Sequence, residues 1–600
     1  MTAMPGAPDS PSAEPGATAP AQNGGSVRPK LFGRAFYESI GSPKLILAPM
    51  VEQSEFAWRM LTRSFMSPST SKNLLAYTPM FHSRMFTDTP KYRESHFQPL
   101  KTTLPSPPDA YHAAQYNNAD MYLDGNPAID RPLFVQFCSN SPEDLLQAAH
   151  HVAPFCDAVD LNLGCPQGIA RRGHYGAFLQ EDWDLVYKLI NRLHTELAVP
   201  VTAKMRILET REKTLEYAKT ILSAGASIIT VHGRQRDQKG HATGLADWSV
   251  IRYLRDNLPP ETVVFANGNI LTYGDIEQCL QATGADGVMS AEGNLYDPSI
   301  FAEPPPVEEE GREYWRGRDG KGGYRMDAVM RRYMDIIHRY VLGQAPPERG
   351  PLFLPSDSVA AENGIENGAE HRIEDSTQNG AAAPAASNGQ PSPQATQHHP
   401  KPEPETQEGP PAKKQKQKNP KPQGKQEKVT SPNLTAMQPH LFHLLRPLVS
   451  RHIPVRDALA RCRAGDIPAF EHVLSLVENA VKQGLLAYEA DPAAFETAQP
   501  EDGKEEVADE KFDESSVKTV ARVKRPWWVC QPYVRPLPKE ALAKGALSLT
   551  KKQKKRLEDE QAKDAAEAKA VGLTPGGKVE TEMSAVDEKV EIPKEGLVCG

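Results

Sequence analysis

Three things are missing from this chain, and each narrows what it can be. Seven cysteines lie scattered over 600 residues with no C-x-x-C pair. That excludes a disulfide framework and a zinc cluster, implies no metal, and points to a reducing compartment, cytoplasmic and/or nuclear. No apolar run is long enough to span a bilayer, and Met1 to Arg28, mostly Ala, Pro, Gly and Ser, lacks the apolar centre of a secretory signal. No membrane partner is therefore expected. The turn G-x-G-x-x-G is absent as well, which weighs against an open doubly wound sheet with a dinucleotide on its first turn. The net charge of −8 excludes a globally basic nucleic-acid binder. Local basic tracts remain, Lys413 to Lys428 and Lys551 to Arg556. They read equally as solvated charge or as contacts to phosphate.

What is present is a rhythm. Eight short apolar runs, at 45–50, 74–80, 133–139, 158–165, 199–207, 227–234, 262–270 and 287–294, alternate with amphipathic stretches such as 142–152, 183–196, 214–224 and 273–283. Eight strands with intervening helices in roughly 250 residues have the size and spacing of a (β/α)8 TIM barrel, an α/β fold. The run Val159-Asp160-Leu161-Asn162-Leu163-Gly164-Cys165-Pro166 is central, since a strand stops at proline and leaves a thiol at its end. Alone, Cys165 is as much a small buried hydrophobe as a reactive group.

The other strand ends bear on that choice. They carry Pro49 and Met50, Gln136, Asn162, Lys204 with Arg206, His232, Asn267-Gly268-Asn269, and Ala291-Glu292. An interior filled only for packing wants Val, Ile and Leu. Polar groups on so many strand ends therefore point to a ligand in the mouth. The glycine-bearing ends of the last two strands suit an anion held by backbone N–H groups, or else simple tight turns.

The segments Leu47-Ala48-Pro49-Met50-Val51, Asp160 to Pro166, Ala203-Lys204-Met205-Arg206, Thr230-Val231-His232-Gly233-Arg234 and Ala266-Asn267-Gly268-Asn269-Ile270 resemble the tRNA-dihydrouridine synthases. The run Val288 to Leu295 is similar to the eukaryotic branch acting on D-loop positions 16 and 17, and the likeness has a fungal cast. Pro526-Trp527-Trp528-Val529-Cys530-Gln531-Pro532-Tyr533 is also similar to that branch. The resemblance implies FMN in the mouth, NADPH as reductant and uridine in tRNA as substrate. It implies that Pro49, Met50, Val51, Gln136, Lys204, His232, Asn267, Gly268, Asn269, Ala291 and Glu292 hold the flavin. Asn162 and Arg206 would face the uracil, and Cys165 would be the proton donor. Where bacterial relatives carry Gly-Arg, this chain has Ala291-Glu292.

Beyond the barrel, apolar residues recur at helical spacing from Met326 to Val341, Leu441 to Leu448 and Phe470 to Val481. The expected layout is a disordered segment at 1–30, the barrel at 31–310, a helical tRNA-binding domain at 320–350 and 436–490, a disordered insertion at 356–430, and a mostly disordered charged tail at 491–600. From periodicity alone the helices read equally as a cap packed on the barrel. A monomer is expected. Two rivals stand beside the tRNA enzyme: an FMN barrel dehydrogenase acting on a free pyrimidine, and a non-catalytic RNA-binding barrel. The first leaves the helical region unused, and the second has no need of Cys165, Lys204 and His232 together.

Overall fold

A computed structural model describes residues 30–102, 120–357, 431–496 and 516–543. The expectations for 1–29, for nearly all of the insertion and for the end of the tail fall outside the described residues. Eight parallel strands stand where the apolar runs lie. They are β1 (Leu45–Leu47), β2 (Leu74–Tyr77), β3 (Leu133–Cys138), β4 (Ala158–Leu163), β5 (Val201–Arg206), β6 (Ile228–His232), β7 (Val263–Asn267) and β8 (Gly287–Ser290). Their order is β2-β1-β8-β7-β6-β5-β4-β3, and β2 pairs with β3, so the sheet closes. Strands β2 to β8 are buried along their whole length, including the polar Asp160, Asn162, Thr202 and Lys204 that alternate with apolar residues in β4 and β5. A two-residue extension of β2, Phe81–His82, pairs with Phe137 and Cys138 of β3.

Helices α1 (Phe56–Ser64), α2 (Pro142–Val152), α3 (Trp183–Glu196), α4 (Arg211–Ser223), α5 (Trp248–Asn257) and α6 (Gly274–Thr283) surround the barrel. Side-chain oxygens of Ser141, Asp182, Thr210 and Asp247 accept backbone N–H groups at the starts of α2, α3, α4 and α5. Each cap satisfies a donor that the helix cannot, worth about 1 kcal/mol. A short helix, α7 (Glu292–Tyr296), follows β8. In α1 the fully buried Arg59 is neutralised by Asp130 at 2.5 Å and Asp124 at 2.8 Å. A buried charge survives only with such partners.

The helical region folds onto α1 within one compact unit. It comprises α8 (Met326–Ile336), α9 (Pro432–Leu444), α10 (Ile453–Arg461) and the long α11 (Ile467–Ala490). His440 of α9 stacks on Trp58 with ring centroids 3.9 Å apart and bonds Glu55 at 2.9 Å. Asn433 accepts the Ala57 N–H at 2.8 Å, and Trp58 donates to Asn294 at 2.7 Å. The seam is therefore polar at these positions, with His440 Nδ1 left buried and without a hydrogen-bond partner. A second unit, Phe353–Val429, is described only at 353–357, where Leu354 N–H bonds Asp357.

Two features differ from the sequence expectation. Ahead of α8 the chain forms a hairpin, β9 (Tyr314–Arg316) and β10 (Gly322–Tyr324), whose second strand falls in the stretch read as helical from 320. The stretch after 491, read as mostly charged tail, contributes core. Trp528, Val529 and Cys530 are fully buried, Cys530 N–H bonds Tyr324 O and Met326 N–H bonds Trp528 O, each at 2.9 Å. Gly484, in the middle of α11, makes room for them. A Cβ there would lie 2.6 Å from Trp528 and 2.9 Å from Trp527. The chain then returns to the barrel. Tyr533 lies under Arg446, 4.0 Å from guanidinium to ring, and Arg535 pairs with Glu292.

Candidate active site at the mouth of the barrel

The C-terminal ends of the strands surround a cleft of about 360 Å³, its open mouth included. Pro49, Val51, Met80, Gln136, Asn162, Gly164, Cys165, Lys204, Arg206 and His232 line it. Eight of the sequence-predicted residues thus meet in one place. Register explains the convergence, because Asn162 lies opposite Lys204 and Arg206 opposite His232 on adjacent strands.

The turn bearing Cys165 is held from several sides. Asn162 Oδ1 accepts the N–H groups of Gly164 at 3.1 Å and Cys165 at 2.9 Å. Arg206 Nε donates to Gly164 O at 2.7 Å, and Ala177 N–H donates to Cys165 O at 3.0 Å. Cys165 packs with Cys138, Ala170 and Tyr175, flanked by Met80 and Phe178. Asn162 Nδ2 donates to Gln136 Oε1 at 2.8 Å, and Gln136 Nε2 donates to Asp160 Oδ2 at 2.8 Å. The Thr202 hydroxyl donates to Asp160 Oδ1 at 2.6 Å. Burial pushes the Asp160 carboxyl up to about 6, against the bonds from Thr202 and Gln136 and the pull of Lys204.

His232 is kept neutral. Burial, then the charges of Arg206, Lys204 and Arg234, hold it well below the usual histidine value. An arginine N–H can only donate, so the 3.0 Å contact from Arg234 Nη1 to His232 Nε2 places the ring proton on Nδ1. Arg234 also bonds Gly244 O at 3.0 Å and Asn269 Oδ1 at 2.9 Å, which organises the ends of β6 and β7. Around this corner His232 Nδ1, Asn267 Oδ1 and Ser290 Oγ are buried without a hydrogen-bond partner. Three such atoms at the ends of β6, β7 and β8 mark a place for a polar ligand.

The remaining predicted residues lie outside the lining of the cleft. Met50 is fully buried, its N–H on Ser54 Oγ at 3.0 Å. Asn267 Nδ2 ties β7 to Met289 O at 2.9 Å. Gly268 has φ +119° and would set a Cβ 2.5 Å from Ala246, so the turn requires glycine. The Asn269 side chain clasps both backbone groups of Ala246 at 2.8 and 2.9 Å. Ala291 is buried, and Glu292 is engaged by Arg535. Asp160, Arg234 and Met80 were not singled out from sequence, although Asp160 and Arg234 stand inside the runs that drew attention. Arg535 had no local signal at all.

A closed parallel barrel whose mouth collects a thiol, an imidazole, an ammonium and two side-chain amides defines a TIM-barrel enzyme. The chain belongs to the dihydrouridine synthase family, whose model, "Dihydrouridine synthase (Dus)", matches residues 46–316. A Schizosaccharomyces pombe protein named tRNA-dihydrouridine(16/17) synthase, with NAD(P)(+) in its name, is 38% identical over 510 residues. The match covers 85% of this chain and 92% of that protein. The Saccharomyces cerevisiae protein of the same name is 51% identical over 308 residues, 51% of this chain and 63% of that one. A Mus musculus protein whose name adds "-like" is 44% identical over 290 residues, 48% of this chain and 54% of that one.

Proposed function

We propose that this protein reduces uridine to 5,6-dihydrouridine in the D-loop of tRNA, with FMN in the barrel mouth and NADPH as reductant. The observation that carries this reading is the convergence of Cys165 with Gln136, Asn162, Lys204, Arg206 and His232 on one cleft. The residues fit the flavin nucleotide. The orphaned donors and acceptor on His232, Asn267 and Ser290 suit its polar periphery, while Gln136 and Lys204 offer amide and ammonium groups to its ring. Bound FMN, once reduced, supplies the hydride that adds to C6 of the uracil.

The chain's own residues do the rest. Addition at C6 leaves negative charge that is discharged by a proton at C5. An ordinary cysteine thiol, with a pKa of about 8.5, carries that proton at neutral pH. Cys165 is the donor, held in place by Asn162 and Ala177. Lys204 and Arg206 bring positive charge to the same cleft, preorganised for charge that develops during reaction. A stacked base cannot reach this depth, so the target uridine is flipped out of the tRNA fold. The helical region supplies further tRNA contacts.

The test is dihydrouridine formation in transcribed tRNA with NADPH, set against free uridine, using the yellow holoprotein. Cys165→Ala should keep its flavin and its reduction by NADPH, and lose turnover by about 10²–10⁴-fold. A colourless protein, or equal turnover of free uridine, refutes the reading; wild-type turnover by the alanine variant removes Cys165 from the acid role.

A further inference from the structure

Asp160 sits one layer below the cleft and outside its lining, yet it ends a continuous chain of hydrogen bonds that begins at the Cys165 turn. Every link has a forced direction. The N–H groups of Gly164 and Cys165 can only donate, so the Asn162 atom facing them is its oxygen. Asn162 Nδ2 then faces Gln136, whose near atom must accept. That leaves Gln136 Nε2 toward Asp160, a carboxylate that accepts on both oxygens. An amide is symmetric in shape, and only its neighbours settle which way it faces.

We infer that Asp160 is a positioning residue: by accepting the Gln136 amide it fixes Gln136 and Asn162, and through Asn162 the turn that carries Cys165. Without that acceptor, Gln136 keeps a buried N–H unpaired, a cost of about 1–3 kcal/mol that favours turning away from Asn162. Asn162 then loses its own anchor, and the two backbone N–H groups it holds are less firmly placed. The consequence for turnover rests on the reductase reading, whereas the consequence for the turn does not.

The test uses four variants of the full chain. In Asp160→Asn the Thr202 hydroxyl can rotate and accept, so the new amide still offers oxygen to Gln136. Thr202→Val alone leaves the carboxylate intact. Asp160→Val removes the acceptor and suits a buried strand position. Asp160→Leu removes the acceptor outright. The first readout is the rate of Cys165 alkylation by iodoacetamide, followed by mass spectrometry of its peptide. The second is kcat and KM on tRNA beside flavin content.

Each single polar variant should stay within about threefold of wild type in both readouts. Asp160→Val and Asp160→Leu should alkylate about tenfold faster and lose about 10–100-fold in kcat, with KM and flavin content nearly unchanged, as a small misplacement of a reacting group predicts. Damage from Asp160→Asn equal to that from Asp160→Leu overturns the inference. So does unchanged alkylation in Asp160→Val, which decides alone should the leucine variant not fold. Alkylation needs no substrate, so an inactive wild type counts against the reductase reading only.

Discussion

Replacing Trp528 by alanine tests the least expected part of the fold. The indole is fully buried against Trp315, Phe495 and Trp527, at ring-centroid distances of 5.9, 5.1 and 5.2 Å. A side chain of this size removes up to about 250 Å² from water, or roughly 6 kcal/mol at 25 cal/mol per Å². Its Nε1 has no hydrogen-bond partner, so its removal returns about 1–3 kcal/mol of desolvation cost. A net loss of about 3–5 kcal/mol follows, the usual range for Trp→Ala. The measurement is the urea midpoint of the holoprotein by far-ultraviolet circular dichroism. Gly484→Ala is the companion. Alanine in mid-helix ordinarily gains about 0.5–1 kcal/mol, yet here its Cβ meets the indole at 2.6 Å and the sign should reverse. A Trp528→Ala loss below about 1 kcal/mol, or a stabilised Gly484→Ala, refutes this packing.

Lys204→Ala should weaken FMN retention and slow its reduction by NADPH without any tRNA present, because a cation near the ring favours the reduced, more negative form; unchanged content and kinetics remove Lys204 from the cofactor site. Acid should destabilise the fold. Burial, followed by Arg93 and His150, holds His151 down to about 4, and His232 also lies well below its ordinary value. The unfolded chain therefore takes up protons near pH 6.5 that the folded chain refuses, and stability falls as pH drops through that value, by up to about 1.4 kcal/mol per unit for each group. Asp160, raised to about 6, works the other way between roughly pH 6 and 4. His82, His96, His194, His443 and His452 are lowered too and Asp124 and Asp327 raised, so the histidines outnumber the carboxyls and stability should fall from pH 7.5 to 5, more steeply in Asp160→Asn. A flat or rising urea midpoint over that range contradicts the assignment.

The barrel was legible because its strands and helices are specified locally. Most strands are apolar runs that need no partner to be recognised, β4 and β5 alternating apolar with polar residues, and Ser141, Asp182 and Thr210 cap the helices that follow. Lys204 and His232 were legible because an ionisable side chain at a strand end has no packing reason to be there, whereas Cys165, which does pack with Cys138, Ala170 and Tyr175, was singled out by the polar strand ends around it and by the family likeness. Asp160 was passed over because a polar residue inside a strand looks like an outward-facing one until closure turns it inward. The hairpin β9–β10 is three residues a side and glycine-bearing, too short for periodicity to register. Trp528 stood out within the family-like run Pro526 to Tyr533, but its packing, like the pairing of Arg535, was beyond reach, since their partners on α11 and α7 are remote in sequence.

That remoteness has a consequence for the nascent chain. The N–H of Met326 that opens α8 finds its acceptor on Trp528, and the slot at Gly484 on α11 stays open until both tryptophans arrive. At roughly 5–20 residues per second, the interval between synthesising α8 and synthesising its cap is on the order of ten seconds or more. During it the barrel strands are complete, and once α11 has been made the helical region exposes an aromatic groove lined by Trp315 and Tyr488 until Trp528 follows. Ribosome stalling or premature termination between 490 and 526 would leave a closed barrel carrying an unfilled apolar slot, a species prone to aggregate and a natural substrate for holding chaperones.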